Sequence, residues 1–365
     1  MGEIRDFSRA DAAAVAVLFQ KTFRASGGAA PRSLETYLIA AYLEHPWFDP
    51  EIAPRVHVDD GGRVTGFIGV FPGRFDYRER QYRGAVAGTL MVEDPAKEPL
   101  AGAKLLRAVV KGPQDFTVSE TTNLISQRLW EPLGGKVVPL LSLDWFRVFS
   151  PAGAAFATLA EKFPPAAWLA PAAQAGDRIA LSMTKSPLRP AEPSGRLTVS
   201  TDVSDPEFTI AVLELSRSYE LRPAWTPADL EWLLAHAARK ERHGSLRRAI
   251  VRGRKGDIVG CYIYHAAPRG MARVLQVLSV PALAGDVLNC LFSEVARAGL
   301  SALRGRVSSQ LIDALLIRNC VFLHRASTVI HTKDRDLAEA IESGRALVNG
   351  LAGESWTRLI GGIFD

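Results

Sequence analysis

Helix and strand patterns occur twice in the same order along the chain, which restricts the fold to two similar units. Residues 8–149 begin with helices and continue with antiparallel strands, a helix, a strand, a helix and a last strand. Residues 197–331 repeat this order, with Lys255-Gly256-Asp257 as the hairpin turn. The repetition predicts an α+β fold of two tandem units, each a mixed, mostly antiparallel sheet flanked by helices.

The 365-residue length is compatible with two domains of ordinary size. We predict an N-terminal domain at 1–150, an Ala- and Pro-rich bridging segment at 151–195 and a C-terminal domain at 196–365. The last strand of each domain is predicted as one continuous element, at 137–149 and 321–331.

Composition excludes several classes of protein. The chain is 47% hydrophobic and 23% charged, which is typical of a globular protein and excludes disorder as its main state. It contains no apolar run long enough to span a membrane and no apolar segment typical of a secretory signal near Met1, so we expect a cytoplasmic protein. The three cysteines have no metal-ligand spacing, and we predict no metal site.

The net charge of +5 comes from basic residues scattered along the chain. A nucleic-acid-binding protein normally carries a denser basic stripe with interleaved aromatic residues, so we expect no nucleic-acid partner. The mild excess fits an anionic cofactor, or a peripheral contact with an anionic membrane, equally well.

One strand-to-helix connection has features of a phosphate-binding loop. After Val92 the chain reads Glu-Asp-Pro-Ala-Lys-Glu-Pro-Leu-Ala-Gly-Ala, and a helix is predicted over 97–110. The start of a helix presents unpaired backbone N–H groups, which suit a pyrophosphate, and Lys97 adds a positive charge. A second helix is predicted over 124–133, ended by Gly134-Gly135.

This element order and these two stretches resemble the GNAT acyltransferases, and the tandem arrangement is similar to FemAB-like aminoacyl transferases and N-myristoyltransferases. The resemblance implies that an acyl-CoA thioester binds at the first unit. Residues at the matching motif positions are Val92, Lys97, Ala101, Gly102, Ala103 and Asn123.

The match to the GNAT motifs is incomplete. Leu100 stands at the first glycine position of the cofactor loop, and Trp130 stands where GNAT enzymes often have a tyrosine that protonates the leaving thiolate. An indole cannot be that acid. In the second unit, residues 280–286 carry an acid and one glycine, so we expect no CoA there and a role in shaping the acceptor pocket.

Three residues are candidates for deprotonating the acceptor amine: Glu93 at the end of the fourth strand, Glu120 just past the fifth, and His57. Tyr219 and Arg222 precede a helix of the second unit and are candidates for contacting the acceptor, as is Trp130 from the first.

The resemblance implies an acyl-CoA-dependent N-acyltransferase. Its acceptor would be a primary amine: a small amine, an amino sugar or a long-chain amine such as a sphingoid base. Two alternatives remain open, a FemAB-like aminoacyl transferase and a GNAT-like protein without catalysis that binds a ligand or partner. The sequence is compatible with a monomer or a homodimer.

Overall fold

The computed structural model describes residues 2–24, 29–162, 188–193, 195–267 and 270–365. The strands in these ranges are β1 (Glu3–Asp6), β2 (Arg55–Val58), β3 (Val64–Tyr77), β4 (Arg80–Val92), β5 (Phe116–Thr122), β6 (Lys136–Val137), β7 (Leu143–Val148), β8 (Thr198–Ser200), β9 (Arg222–Pro223), β10 (Ser245–Arg252), β11 (Ile258–Ala266), β12 (Met271–Ser279), β13 (Ala302–Arg306), β14 (Val321–His324) and β15 (Ser327–Thr332). The helices are α1 (Ala12–Arg24), α2 (Arg32–Leu43), α3 (Ala101–Val110), α4 (Leu124–Trp130), α5 (Pro151–Lys162), α6 (Asp205–Ser216), α7 (Pro227–Ala237), α8 (Ala284–Arg297), α9 (Ile312–Ile317) and α10 (Arg335–Glu342).

These strands form two sheets. The first has the order β1-β2-β3-β4-β5-β15-β6, with the short β9 paired to β3. The second has the order β14-β7-β13-β12-β11-β10-β8. Most neighbours are antiparallel, and each sheet has one parallel pair, β4 with β5 and β12 with β13. The predicted α+β class, with two mostly antiparallel sheets flanked by helices, is confirmed.

The two halves of the chain exchange a strand. β7 from the first half lies between β13 and β14 of the second sheet, and β15 from the second half lies between β5 and β6 of the first sheet. The predicted single strands at 137–149 and 321–331 were therefore wrong, because each divides into two strands that join different sheets. In the first half, a 3-10 turn at Leu140–Ser142 follows Pro139 and separates β6 from β7.

The exchange places one continuous hydrophobic core between the sheets. It combines apolar faces of α1 and α2, α6 and α7, and the inner faces of both sheets; examples are Phe19, Phe67, Phe208 and Ile263. A second core lies under α8 on the outer face of the second sheet, and a third under α3 and α4 on the outer face of the first.

Element ends differ from the sequence predictions near the motif stretches. α3 begins at Ala101 rather than at residue 97, because residues 94–100 form turns capped by the Asp94 side chain. α4 ends at Trp130 and continues as a 3-10 turn to Leu133, before Gly134 takes up a left-handed conformation with φ of 83°. Much of the bridging segment predicted at 151–195 lies outside the described residues, although α5 covers its beginning.

Candidate active site

The parallel strands β4 and β5 separate along their length and leave a cleft. They pair only where residues 84–86 face residues 116–118. Beyond this point a cavity of about 110 Å³ opens between them. Its walls include residues of β4, β5, α3 and the start of α4: Gly88, Thr89, Leu90, Leu106, Ser119, Thr121, Thr122, Asn123, Ser126 and Trp130.

A bulge in β4 lies at the edge of this cleft. The register between β3 and β4 shifts between Phe67 and Gly69, and Thr89 has a φ of 54°. A threonine in the left-handed region is uncommon. The Tyr42 hydroxyl donates to Thr89 Oγ1 at 3.3 Å. A bulge interrupts the hydrogen-bond ladder, so backbone amides here are available to the cleft.

A buried carboxyl group lies directly behind the cleft. Glu354, from the C-terminal segment that follows α10, is 3% exposed. Thr121 Oγ1 on β5 donates to Glu354 Oε1 at 2.5 Å. The other oxygen, Oε2, packs so closely on Gly88 that no Cβ could be accommodated there. Glu354 therefore contacts both strands that form the cleft.

Burial raises the pKa of Glu354 to about 7, and the negative charge of Glu120 acts in the same direction. The Thr121 hydroxyl partly opposes this by stabilising the carboxylate. A carboxyl group with a pKa near neutrality can accept a proton and release it again at physiological pH. This combination of burial, contact with the cleft and raised pKa makes Glu354 the strongest candidate base.

Solved structures are similar to this chain over most of its length. A GCN5-related N-acetyltransferase from Anabaena variabilis has a TM-score of 0.60 at 13% identity, covering 92% of this chain and 73% of its own. A probable N-acyltransferase of unknown function from Enterococcus faecalis has a TM-score of 0.59 at 9% identity, covering 91% and 73%. A third, a GCN5-related N-acetyltransferase from Kribbella flavida, has a TM-score of 0.53 at 12% identity, covering 93% and 72%.

The chain has the GNAT fold. At these identities the likeness concerns the fold alone. No protein-family model matches the sequence, and no curated protein matches it either. The GNAT fold nevertheless accounts for the separation of β4 and β5 and for the bulge in β4, and it gives the cleft a position relative to α3 and α4.

The candidate bases from the sequence lie in three different places on the GNAT fold. Glu93 lies at the surface beyond β4, with Lys21 at 2.7 Å and Arg63 at 3.7 Å. His57 is buried on β2, where Nδ1 lies 2.8 Å from Thr65 Oγ1 and 3.6 Å from Glu98 Oε2. Neither lines the cleft.

Glu120 lies within β5 rather than just past it, and it is buried. Its carboxylate accepts backbone N–H groups from Gly350 at 3.1 Å, Glu354 at 3.1 Å and Ser355 at 3.2 Å. These bonds hold the C-terminal segment against the first sheet. Glu120 thus positions Glu354, and its carboxylate already has three donors.

The predicted cofactor residues gather around the start of α3. Val92 and Leu129 lie on either side of Gly102, and Ala101 is buried beside it, so β4, α3 and α4 meet here. Ala103 lies on the same first turn. Lys97 is 84% exposed and pairs with Asp94 at 3.5 Å. A mobile, exposed lysine beside a helix start is well placed to meet an anion.

Asn123 and Trp130 both line the cleft. The Asn123 side chain also accepts the backbone N–H of Ser126 at 2.8 Å and so caps α4. Trp130 is buried against the backbone of Gly135.

Tyr219 and Arg222 lie away from the cleft. The Tyr219 hydroxyl is 2.6 Å from Ser308 Oγ in a buried contact, and burial raises its pKa to about 12. Arg222 on β9 pairs with Asp76 of β3 at 3.7 Å. Both residues join the two halves of the molecule.

Sequence reasoning missed Glu354, Thr121 and Gly88. The one signal for Glu354 is an acid within the apolar, glycine-containing stretch Gly350-Leu-Ala-Gly-Glu-Ser-Trp356. Within the described ranges, no helix is long and apolar enough to cross a membrane, and no group of three metal-ligating side chains comes together.

Proposed function

We propose that the protein is an acyl-CoA-dependent N-acyltransferase that transfers an acyl group to a primary amine. The observation that carries this proposal is the buried Glu354 carboxyl group. It is hydrogen-bonded to Thr121 and in contact with Gly88, at the point where β4 and β5 separate. GNAT-fold proteins named as N-acetyltransferases are similar over more than nine-tenths of the chain, which supports the same reaction class.

The thioester would bind with its pantetheine arm in the cleft. Asn123 and the backbone of β4 supply polar contacts along this path, while Leu90 and Leu106 supply apolar ones. The phosphates would lie at the start of α3, where Ala101, Gly102 and Ala103 present backbone N–H groups and Lys97 adds charge.

The amine nitrogen would attack the thioester carbonyl carbon, forming the C–N bond as the C–S bond breaks. Backbone amides of the β4 bulge would stabilise the oxyanion. The amine proton would pass to Thr121 Oγ1, whose own proton moves to Glu354 along the existing hydrogen bond. The CoA thiolate leaves without an acid from Trp130, since a thiol with a pKa near 8.5 is a good leaving group.

Binding of acyl-CoA tests the first half of this proposal. We expect acyl-CoA to raise the melting temperature, and Lys97→Glu to raise the Kd about fivefold because it reverses a charge beside the phosphates. The effect should decrease at high salt. Lys111→Glu, on the exposed far end of α3, is the matched control and should bind like the wild type.

Acyl transfer itself is measured by release of free CoA thiol from acetyl- and longer acyl-CoA with a panel of primary amines. Amine-dependent thiol release is expected for at least one pair. Tight acyl-CoA binding without release for any pair would instead favour a GNAT-like binding protein. Absence of acyl-CoA binding would contradict the proposal altogether.

A further inference from the structure

A second cavity, of about 330 Å³, lies between the two sheets on the other side of Thr121. Cationic side chains dominate its walls, and we call it the cationic cavity: Lys240, Arg273, Arg304, Arg306 and Arg325. Two carboxylates, Glu120 and Asp144, also line it. Five cations against two anions leave an excess of positive charge in a partly enclosed space.

The two carboxylates are already engaged. Glu120 is held by three backbone N–H groups. Asp144 pairs with Arg306 at 3.2 Å and with Arg325 at 3.9 Å. Neither is therefore an obvious counter-ion for the remaining cations.

Lys240 is the most informative residue of the cavity wall. Its side chain is 3% exposed, and the Ser355 carbonyl is its one hydrogen-bond acceptor in the described part of the chain. An ammonium group has three donors, and a buried charge without a close counter-ion is costly. An oxyanion in the cavity would supply the missing partner.

Two neighbouring histidines report the same positive environment. His243 and His265 line the cavity, and burial together with the charges of Lys240 and Arg273 lowers the pKa of both, that of His265 to about 4. Burial likewise lowers the pKa of Lys240 to about 7. A bound anion would reverse part of this shift.

The cationic cavity is next to the proposed transfer site. Thr121 lines both the cleft and the cationic cavity. Lys240 binds the carbonyl of Ser355, the residue that follows Glu354. An acceptor spanning this distance would meet a carboxyl group at its amine end and cations at its other end.

We propose that the cationic cavity binds a carboxylate or phosphate group of the acceptor, so that the acceptor is a primary amine that also carries an anionic group. This inference rests on the proposed function, because it assigns the substrate class of the same site. It makes the second sheet, which supplies Arg273, Arg304 and Arg306, part of the acceptor site.

The test compares amines that differ only in their charge: β-alanine with its amide, and phosphoethanolamine with ethanolamine. At saturating acyl-CoA, the anionic member of at least one pair should have a KM at least tenfold lower. The pair that shows the preference distinguishes a carboxylate from a phosphate site. Lys240→Met should raise the KM of the anionic amine about tenfold or more and leave the neutral one unchanged. Lys255→Met, on an exposed hairpin turn, is the matched control.

Arg325→Gln, at the half-exposed mouth of the cavity, repeats the test if Lys240→Met does not fold. Equal or lower KM values for the neutral amines would overturn the inference while leaving the proposed function intact. Weaker acyl-CoA binding by both cavity variants would also overturn it, because the cavity would then hold the phosphates of CoA. If no amine is acylated, titration with inorganic phosphate decides. Failure to bind phosphate removes the anion site, and binding that Lys240→Met abolishes keeps the site but removes its link to an acceptor.

Discussion

Glu354→Gln should lower kcat for acyl transfer by about 10²- to 10⁴-fold, the usual contribution of a positioned general base. Glutamine keeps the size of the side chain and can still accept the Thr121 hydrogen bond through its carbonyl oxygen. It cannot take up the proton from the amine. Because the carboxyl group lies behind the cleft wall, the Kd of acyl-CoA should change little. Glu231→Gln, exposed on α7, is the matched control and should retain full activity.

The pH profile separates this role from a structural one. If Glu354 must be ionised to act, kcat of the wild type should rise as pH increases through about 7, its raised pKa. The variant should lack this step. A variant that keeps both the wild-type kcat and the wild-type step near pH 7 would remove Glu354 from the mechanism.

Stability should change with pH in the opposite direction. The folded-state pKa of Glu354 is raised from 4.5 to about 7, so the folded state binds its proton more tightly than the unfolded chain does. The stabilisation from this proton is complete below pH 4.5 and is lost as pH rises through about 7. Relative to the wild type, Glu354→Gln should therefore gain in melting temperature between pH 5 and pH 8. A loss of activity at pH 8 then cannot be attributed to unfolding.

Trp145→Ala should lower the free energy of unfolding of the whole molecule by about 3–5 kcal/mol. Trp145 lies on the exchanged strand β7, is almost fully buried in the second sheet's core, and donates its indole N–H to the Arg306 carbonyl at 3.1 Å. Ile330→Ala, on the exchanged strand β15, should cost about 2–5 kcal/mol in the first sheet. Urea unfolding should show one transition in both variants, because each sheet depends on a strand from the other half.

Leu323→Ala on the exposed edge strand β14 is the control and should change stability by less than about 0.5 kcal/mol. Hydrogen exchange provides the decisive readout, since amides of both sheets should lose protection together in either variant. Two separate transitions, with Trp145→Ala affecting only the second sheet, would show that the halves unfold independently.

The sequence predicted the fold class because apolar periodicity and turn residues are local signals. Hairpin turns, the strand-to-helix connection after Val92 and the stop at Gly134 can all be recognised from neighbouring residues. The same patterns placed Asn123 and Trp130 on the cleft, since both lie in a short stretch that resembles a known motif. Lys97 and Gly102 likewise lie at the start of α3, although the helix begins four residues after Lys97.

The residues that we now consider most important came from distant parts of the chain. Glu354 meets Thr121 and Gly88 only because Glu120 holds the C-terminal segment against β5 with three hydrogen bonds. Lys240 looks like a surface residue in the sequence, within a run of charged side chains, yet it is buried against Ser355.

Local sequence thus determined the order and type of the elements, and with them the α+β class and the position of the phosphate-binding loop. Tertiary structure alone decided which sheet each final strand joins. The reason is that β7 and β15 have apolar patterns that fit either sheet, and only packing between the halves distinguishes them. The same packing brought Glu354 to the cleft and gathered five cations beside it, because long-range contacts leave no periodic signal in the sequence.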